Sequence, residues 1–217
     1  YGLLDLHCAH RRADLSYGMV EERGLRCNYH GWMYNEKGEC LDQPFEEVAY
    51  PEEHFKERIK IKAYKAEAKA GIVWAYLGPD PAPLVPDYDR LTEPGYKQIV
   101  YTEIPCNWFQ CQENSIDPVH VEWLHARWSK ALGAGRQEPR AHAKIGFDEF
   151  EHGIIKRRVV AGRQESDPEW RIGHPVVFPN ILRIGNNFQY RVPIDDTHTL
   201  HVWFSAYPQP SDPVVLK

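Results

Sequence analysis

The chain has 217 residues, of which 42% are hydrophobic and 26% are charged, close to the averages of globular proteins. This composition excludes disordered, collagen-like and low-complexity proteins. The net charge of −5 provides no basic surface for nucleic acid, and no apolar run approaches the length of a membrane-spanning helix.

Residues 1–78 are predicted to form mostly β-structure, followed by a stiff linker over 79–87, which contains four prolines. The candidate strands of this first domain are residues 2–6, 25–27, 59–63 and 72–77. Strand-like residues stand at both ends of the chain, so we expect the chain to be a segment of a longer protein.

Residues 88–217 are predicted to form a second domain of different character. Residues 108–128 read as helical with an interruption at Pro118, because proline disfavours helical geometry at the residue before it. The candidate strands are residues 97–104, 144–147, 154–160, 180–184, 188–192 and 199–207.

Two cysteines and two histidines form the first candidate site. Cys8 and His10 lie in one loop, and Cys27 and His30 lie in another. The chain has five cysteines, an odd number that argues against a purely disulfide framework and makes metal binding worth testing. Zinc fingers commonly pair cysteine with cysteine, whereas each loop here is mixed. A [2Fe–2S] cluster with two thiolates on one iron and two imidazoles on the other fits this pattern. A zinc knuckle and a metal-free buried set are the alternatives.

The remaining cysteines lack a partner motif and are expected to be buried core thiols. They are Cys40, Cys106 and Cys111.

The second candidate site is the helical stretch that contains Asp117, His120 and His125. Residues five apart are separated by about 140° on a regular helix, too far for one metal. A local π-bulge or a break near Pro118 would bring the two imidazoles together. Two histidines and a carboxylate are the ligands of non-haem Fe(II) oxygenases. In the alternative reading, Asp117 caps a helix and the histidines are ordinary polar packing.

Both motifs together carry a resemblance to a known family. Cys8-x-His10-Arg11 with Cys27-x-x-His30-Gly31-Trp32 resembles the Rieske motif. The downstream motif resembles the mononuclear-iron motif of Rieske non-haem iron oxygenases, and it reads Glu113-Asn114-x-x-Asp117-x-x-His120-x-x-x-x-His125.

The resemblance implies an α+β protein, with an N-terminal Rieske β-sandwich and a C-terminal helix-grip catalytic domain built on an antiparallel sheet. It implies that His120 and His125 bind a mononuclear Fe(II) and that Asn114 lies beside it. Asp117 would bridge His120 to His30 of a neighbouring subunit in a homotrimer. The [2Fe–2S] ligands implied by the resemblance are Cys8, His10, Cys27 and His30.

The family's iron-binding carboxylate is expected outside this segment, beyond its C-terminus. Asp195 and Asp196 are the most visible late carboxylates, but their surroundings favour a turn between two strands. His174 and His201 lie among apolar residues and are expected to be ordinary core or surface histidines rather than pocket residues.

The resemblance therefore implies the terminal oxygenase component of a multicomponent system, in the cytoplasm. Electrons from a ferredoxin or reductase, together with O2, would hydroxylate or O-demethylate an aromatic compound. Residues 11–18 and 27–32 resemble the phthalate-dioxygenase-like branch, and residues 106–114 resemble members that O-demethylate lignin-derived methoxy aromatics. Two other classes remain open: a Rieske ferredoxin that only carries electrons, for which residues 1–78 suffice, and a zinc-stabilised binding module.

Overall fold

The computed structural model describes residues 1–134 and 140–207, and antiparallel strands joined by short helices dominate both parts. The chain divides into two units, Tyr1–Tyr88 and Asp89–Lys217. This mixture of sheets and helices is the predicted α+β class. Among the helices that the structure describes, none is long and apolar enough to span a membrane.

Two small antiparallel sheets build the first unit. One has the strand order β1-β6-β7 and the other the order β2-β3-β4-β5. The strands are β1 (Leu3–Leu4), β2 (Met19–Glu21), β3 (Gly24–Arg26), β4 (Met33–Tyr34), β5 (Cys40–Asp42), β6 (Ala63–Lys69) and β7 (Ile72–Tyr76). The helical segments are helix α1 (Pro44–Ala49) and the 3-10 turns Leu15–Tyr17, Pro51–Glu53 and Phe55–Arg58.

A single hydrophobic cluster forms the core of this unit and includes two of the predicted metal ligands. Its buried members are Cys8, Leu15, Cys27, Trp32, Tyr34, Cys40 and Ile61. The thiols are therefore held in the best-packed part of the unit, where side-chain positions are well determined.

The predicted strand at 59–63 is wrong, because the strand of this region is β6, Ala63–Lys69. Ile59 and Ile61 are tied instead by single hydrogen bonds to Cys40 and Gly38. The sequence of β6 is rich in alanine, lysine and glutamate, which favour helices. Pairing with β7 and β1 on either side overrides that preference.

The proline-rich segment 79–87 has no regular secondary structure and is fastened to β6. Lys69 Nζ donates to Val85 O (2.7 Å) and to Asp87 Oδ1 (2.5 Å), and Val85 N donates to Glu67 Oε2 (3.1 Å). The segment therefore lies against the first unit, as part of its surface.

A seven-stranded antiparallel sheet, in the order β8-β14-β13-β12-β11-β10-β9, forms the second unit. Its strands are β8 (Tyr96–Ile104), β9 (His142–Phe150), β10 (Gly153–Val160), β11 (His174–Val177), β12 (Ile181–Ile184), β13 (Asn187–Pro193) and β14 (Thr199–Tyr207). Every predicted strand of this domain is present, and β11 is an additional one.

The helices of the second unit connect these strands. They are α2 (Asp89–Thr92), α3 (Trp108–Ile116), a π-helix (Val121–Trp128), α4 (Ser129–Ala131) and α5 (Pro168–Arg171). The predicted interruption at Pro118 is confirmed, because α3 ends at Ile116 and Asp117 is extended, with φ −69° and ψ 120°. Helix α3 contacts β12 and β13 and so lies on the sheet.

His174 in β11 is a partly buried histidine of this sheet. Burial lowers its pKa to about 4, and the positive charges of Arg158 and Lys156 act in the same direction. Between pH 4 and the ordinary value near 6.5, the unfolded chain binds more protons at this residue than the folded chain. Its contribution to stability is therefore full above pH 6.5 and is lost as the pH falls towards 4.

We predict that His174→Gln reduces the loss of stability on acidification from pH 7 to pH 4.5 by about 2 to 3 kcal/mol. The measurement is urea unfolding of variant and wild type at both pH values. His152→Gln is the control, since its side chain is 67% exposed. Equal losses in wild type and His174→Gln would contradict the burial argument.

Candidate metal centres

Two tight loops of the first unit carry the predicted cluster ligands. The first is closed by a hydrogen bond from Arg12 N to Cys8 O (2.9 Å), and the second by one from Gly31 N to Cys27 O (3.1 Å). Arg12 and Gly31 have left-handed φ values of 56° and 80°. The left-handed region is costly for arginine and free of that penalty for glycine, so each loop turns sharply beside its ligands.

The four predicted ligands lie in two like pairs. Cys8 and Cys27 are both 2% exposed, and their thiols are close enough to interact. The ring centroids of His10 and His30 are 4.6 Å apart. This is the arrangement that a [2Fe–2S] cluster with one thiolate iron and one imidazole iron requires.

One unsatisfied polar atom supports the binding of a cluster by these four residues. His10 Nδ1 is buried and has no hydrogen-bond partner, which is unfavourable unless a ligand occupies that position. Burial raises the pKa of the Cys8 thiol, partly offset by a hydrogen bond from Tyr34. A bound metal reverses this effect, because coordination deprotonates a thiol outright.

Tyr34, which sequence analysis missed, contacts one of these thiols. Its hydroxyl oxygen accepts a hydrogen bond from Ala9 N (3.1 Å) and lies 3.2 Å from Cys8 Sγ. Burial raises the pKa of Tyr34 well above its ordinary value, so it keeps its proton. A thiolate has no proton to donate, so with a metal bound to Cys8 the hydroxyl proton of Tyr34 is directed at the sulfur.

Side-chain hydrogen bonds hold the second loop in place. Arg26 Nη1 donates to Gly31 O (2.6 Å) and to Asp42 Oδ2 (2.6 Å). Trp32 Nε1 donates to Glu46 Oε2 in α1 (3.1 Å), and its ring stacks on His10 at 4.7 Å. Rigid support of this kind holds a metal-binding loop in one geometry.

The second candidate site contains His120 and His125, whose ring centroids are 5.0 Å apart. Asp117 Oδ2 lies 3.2 Å from His120 Nδ1 and also accepts a hydrogen bond from the His120 amide. Asp117 Oδ1 accepts one from Val119 N (2.7 Å). Asp117 thus caps the following helix and contacts the imidazole at the same time.

The π-helix, Val121–Trp128, explains how residues five apart come together. Its hydrogen bonds run from i to i+5, so residues with this spacing lie on the same face. The π-irregularity predicted from the five-residue spacing of His120 and His125 is confirmed. Both rings are consequently available to one metal ion, although an ordinary α-helix would separate them.

The electrostatics of this site favour a neutral His120. Burial raises the pKa of Asp117, but hydrogen bonds from the Val119 and His120 amides outweigh it and hold the pKa below its ordinary value. Burial lowers the pKa of His120, against the opposing effect of Asp117. An ionised Asp117 accepts the proton of His120 Nδ1, which leaves Nε2 with a free lone pair for a metal.

Known proteins resemble this chain over nearly its whole length. The family model for the Rieske [2Fe-2S] domain matches residues 3–64. The 5,5'-dehydrodivanillate O-demethylase oxygenase subunit of Sphingobium sp. (strain NBRC 103272 / SYK-6) is 47% identical over 99% of this chain and 52% of its own length. The phthalate 4,5-dioxygenase oxygenase subunit of Pseudomonas putida is 31% identical over 97% of this chain and 51% of its own.

The chain belongs to the Rieske non-haem iron oxygenases. It spans about half the length of the curated relatives that it matches. The family implies a Rieske [2Fe–2S] cluster and a mononuclear iron as cofactors.

Solved structures agree on the fold. The terminal oxygenase of carbazole 1,9a-dioxygenase from Novosphingobium sp. KA1 superposes with a TM-score of 0.63 at 19% identity, covering 93% of this chain and 62% of that one. The naphthalene 1,2-dioxygenase structure superposes with a TM-score of 0.56 at 22% identity, covering 93% and 57%. These likenesses show that the chain shares the fold of those structures.

Among the described residues, no carboxylate joins His120 and His125 as a third metal ligand. In residues 1–134 and 140–207, no group of three or more His, Cys, Asp or Glu side chains is arranged to hold a metal ion. Each iron of a Rieske cluster needs only two protein ligands, so this finding leaves the cluster unaffected. Asp195 forms the predicted turn, in which its Oδ1 accepts from Thr197 N (2.7 Å) and His198 N (2.7 Å).

The remaining residues that the sequence analysis singled out are Asn114, His201 and three cysteines. The Asn114 side chain is exposed on α3, and its role beside the iron stays a prediction. His201 in β14 is partly buried, and its Nε2 lacks a partner. Cys40 is buried as expected, whereas Cys106 and Cys111 are only partly buried, which corrects the expectation that all three are core thiols. These two thiols lie close together, with Cys106 just before α3 and Cys111 within it.

Two buried cations beneath α3 were missed by sequence analysis. Lys156 Nζ donates to Ser115 O (2.6 Å), and Arg191 Nη2 donates to Ser115 Oγ (3.3 Å) and Gln189 Oε1 (2.6 Å). Burial lowers the pKa of Lys156 to about 8. Both charges are buried, at 5% and 6% exposure, which marks a polar region inside the fold. Arg191 Nε and Nη1 remain without hydrogen-bond partners.

We predict that Tyr34→Phe lowers the reduction potential of the cluster, on the order of 50 mV, because the ligand sulfur loses one hydrogen bond. The measurement is a redox titration followed by EPR. Tyr17→Phe is the control, since Tyr17 is 74% exposed. An unchanged potential in Tyr34→Phe, with an intact cluster signal, would show that the hydroxyl proton points elsewhere.

Proposed function

We propose that this chain is part of the terminal oxygenase component of a multicomponent Rieske system. The reaction is the hydroxylation or O-demethylation of an aromatic compound with O2 and electrons from a ferredoxin or reductase. The observation that carries this proposal is the His120–His125 pair on the π-helix, with its Asp117 contact, in addition to the cluster loops. An electron carrier requires only the cluster loops and has no use for this second site.

The substrate class follows from the relative with 47% identity, which is named as a dehydrodivanillate O-demethylase oxygenase subunit. We propose a methoxylated aromatic compound of the lignin-derived type. Other relatives are named for phthalate and phenoxybenzoate, so aromatic substrates recur among them.

Cys8, Cys27, His10 and His30 are proposed as the cluster ligands, and His120 and His125 as ligands of the catalytic iron. When bound, the cluster supplies single electrons and the iron activates O2. The protein contributes the tight loops that orient the thiols and imidazoles. It also contributes the core packing that keeps water from the two thiols, with Cys8 and Cys27 only 2% exposed.

Asp117 is proposed as a positioning residue. By accepting the Nδ1 proton of His120, its carboxylate fixes the ring orientation and directs Nε2 towards the metal. Its second carboxylate oxygen is occupied by the Val119 amide, which holds the group in place. The bridge from Asp117 to His30 of a neighbouring subunit in a homotrimer belongs to this proposal, as does a cytoplasmic location.

We predict that His120→Ala abolishes O2-dependent oxidation of dehydrodivanillate while the cluster EPR signal is retained. Iron analysis should fall from about three to about two irons per subunit, because the cluster holds two of them. The assay uses the intact protein with a reductase. His152→Ala, in which the altered side chain is 67% exposed, should leave both readouts unchanged.

Full turnover by His120→Ala would reject the proposed iron site. A wild-type protein with the cluster signal, two irons and no oxidation of any aromatic compound would favour the electron-carrier alternative. Zinc in place of iron, without a cluster signal, would favour the zinc-binding module.

A further inference from the structure

A large cavity of about 1020 Å³ in the second unit lies beside the proposed iron site. His125 of the π-helix contributes to its wall, and so do residues of β9, β10 and α5. The residues of its wall that matter here are Glu122, His125, His142, Arg158, Val160 and Glu169. A cavity of this volume has room for one or two aromatic rings.

His142 lines this cavity and carries an unsatisfied nitrogen. Its side chain is only 8% exposed, and its Nε2 is buried without a hydrogen-bond partner. Its Nδ1 lies 3.1 Å from Glu122 Oε2, and its backbone N–H donates to the same oxygen at 3.0 Å. The ring is therefore fixed from one side, while the other nitrogen remains unused.

The surroundings of Glu122 determine which nitrogen carries the proton. Arg127 donates to Glu122 Oε1 through Nη2 (3.0 Å) and Nε (3.3 Å), so the carboxylate is paired with a cation and is ionised. An ionised carboxylate only accepts hydrogen bonds, so His142 Nδ1 must be the donor. In the neutral imidazole, Nε2 is then a hydrogen-bond acceptor.

A principal cation of the cavity wall is already paired. Arg158 forms a two-point contact with Glu169, at 3.1 Å from Nε and 3.0 Å from Nη2. This guanidinium has less capacity for a substrate anion, because both of its facing donors are in use. His142 Nε2 thus lacks a hydrogen-bond donor, which a bound ligand could supply.

We propose that His142 Nε2 accepts a hydrogen bond from the phenolic hydroxyl of an aromatic substrate bound in this cavity, so that the site selects phenols over their methyl ethers. This inference rests on the proposed function for the aromatic nature of the ligand. A methyl ether in the same position has no proton to donate and leaves the buried nitrogen unpaired. Sites that hydrogen-bond a ligand hydroxyl discriminate strongly against analogues that lack it.

The test compares two ligands that differ only in this group. Binding of 4-hydroxy-3-methoxybenzoate and of 3,4-dimethoxybenzoate to the intact, iron-loaded protein is measured by calorimetry without O2, so that no turnover occurs. Wild type should prefer the phenol by roughly tenfold or more, the equivalent of one good buried hydrogen bond. His142→Phe should reduce the preference to less than about twofold, mainly by weakening the binding of the phenol.

Two further variants separate hydrogen bonding from structure. His142→Gln retains an acceptor and should recover part of the preference, whereas His142→Phe should not. His152→Phe is the control, because this histidine side chain is 67% exposed. A folded His142→Phe protein with the wild-type preference would overturn the proposal. Equal affinities in wild type, or failure of the phenol to bind, would also overturn it.

The outcomes distinguish this inference from the proposed function. An active oxygenase without a phenol preference would reject the inference alone. A protein that oxidises no aromatic compound, yet prefers the phenol in a His142-dependent manner, would reject the oxygenase proposal and retain the binding site.

Discussion

The contact between Asp117 and His120 is the interaction on which the second unit's chemistry depends. It forms where α3 stops, since Pro118 prevents helical geometry at Asp117 and leaves the carboxylate at the start of the next helix. There the carboxylate accepts hydrogen bonds from two backbone amides and from the His120 ring. A continuous helix would bury those amides in its own hydrogen bonds and remove this orientation of the ring.

The backbone is irregular at each proposed metal site. The first cluster loop places Arg12 in the left-handed region, and the second uses Gly31 there. The His120–His125 pair depends on eight consecutive π-helical residues, which are rarer and less stable than α-helix. Unfavourable conformations of this kind persist only when the surroundings compensate for them. Here the buried core, Arg26 and the Asp117 cap provide that compensation.

The proposed ligands come from short spacings along the chain. Cys8 and His10 are two residues apart, and the distance of five between His120 and His125 even indicated the π-irregularity. Most strands of the large sheet followed from their alternation of apolar residues. Strand β6 did not, because the helix-forming composition of Ala63–Lys69 conceals a conformation that neighbouring strands impose.

Residues that act through distant contacts left no such signal. Tyr34 reaches Cys8 across 26 positions, His142 reaches Glu122 across 20, and Arg191 reaches Ser115 across 76. Only the topology of the sheets brings these pairs together. What the sequence does show is a charged residue at an inward strand position, as at Lys156 and Arg191. Such residues are expensive to bury and therefore mark a polar interior.

The free-energy cost of burying a polar atom without a hydrogen-bond partner applies in both units. In each, nitrogen atoms lie buried without partners: His10 Nδ1 in the first unit, and His142 Nε2 with two nitrogens of Arg191 in the second. Leaving such groups unpaired disfavours the fold by about 1–3 kcal/mol each. Folding therefore prepares sites whose polar requirements are met only when a ligand is present. A metal cluster meets that requirement at His10, and a donor hydroxyl meets it at His142, so binding at either site should add to the stability of its own unit.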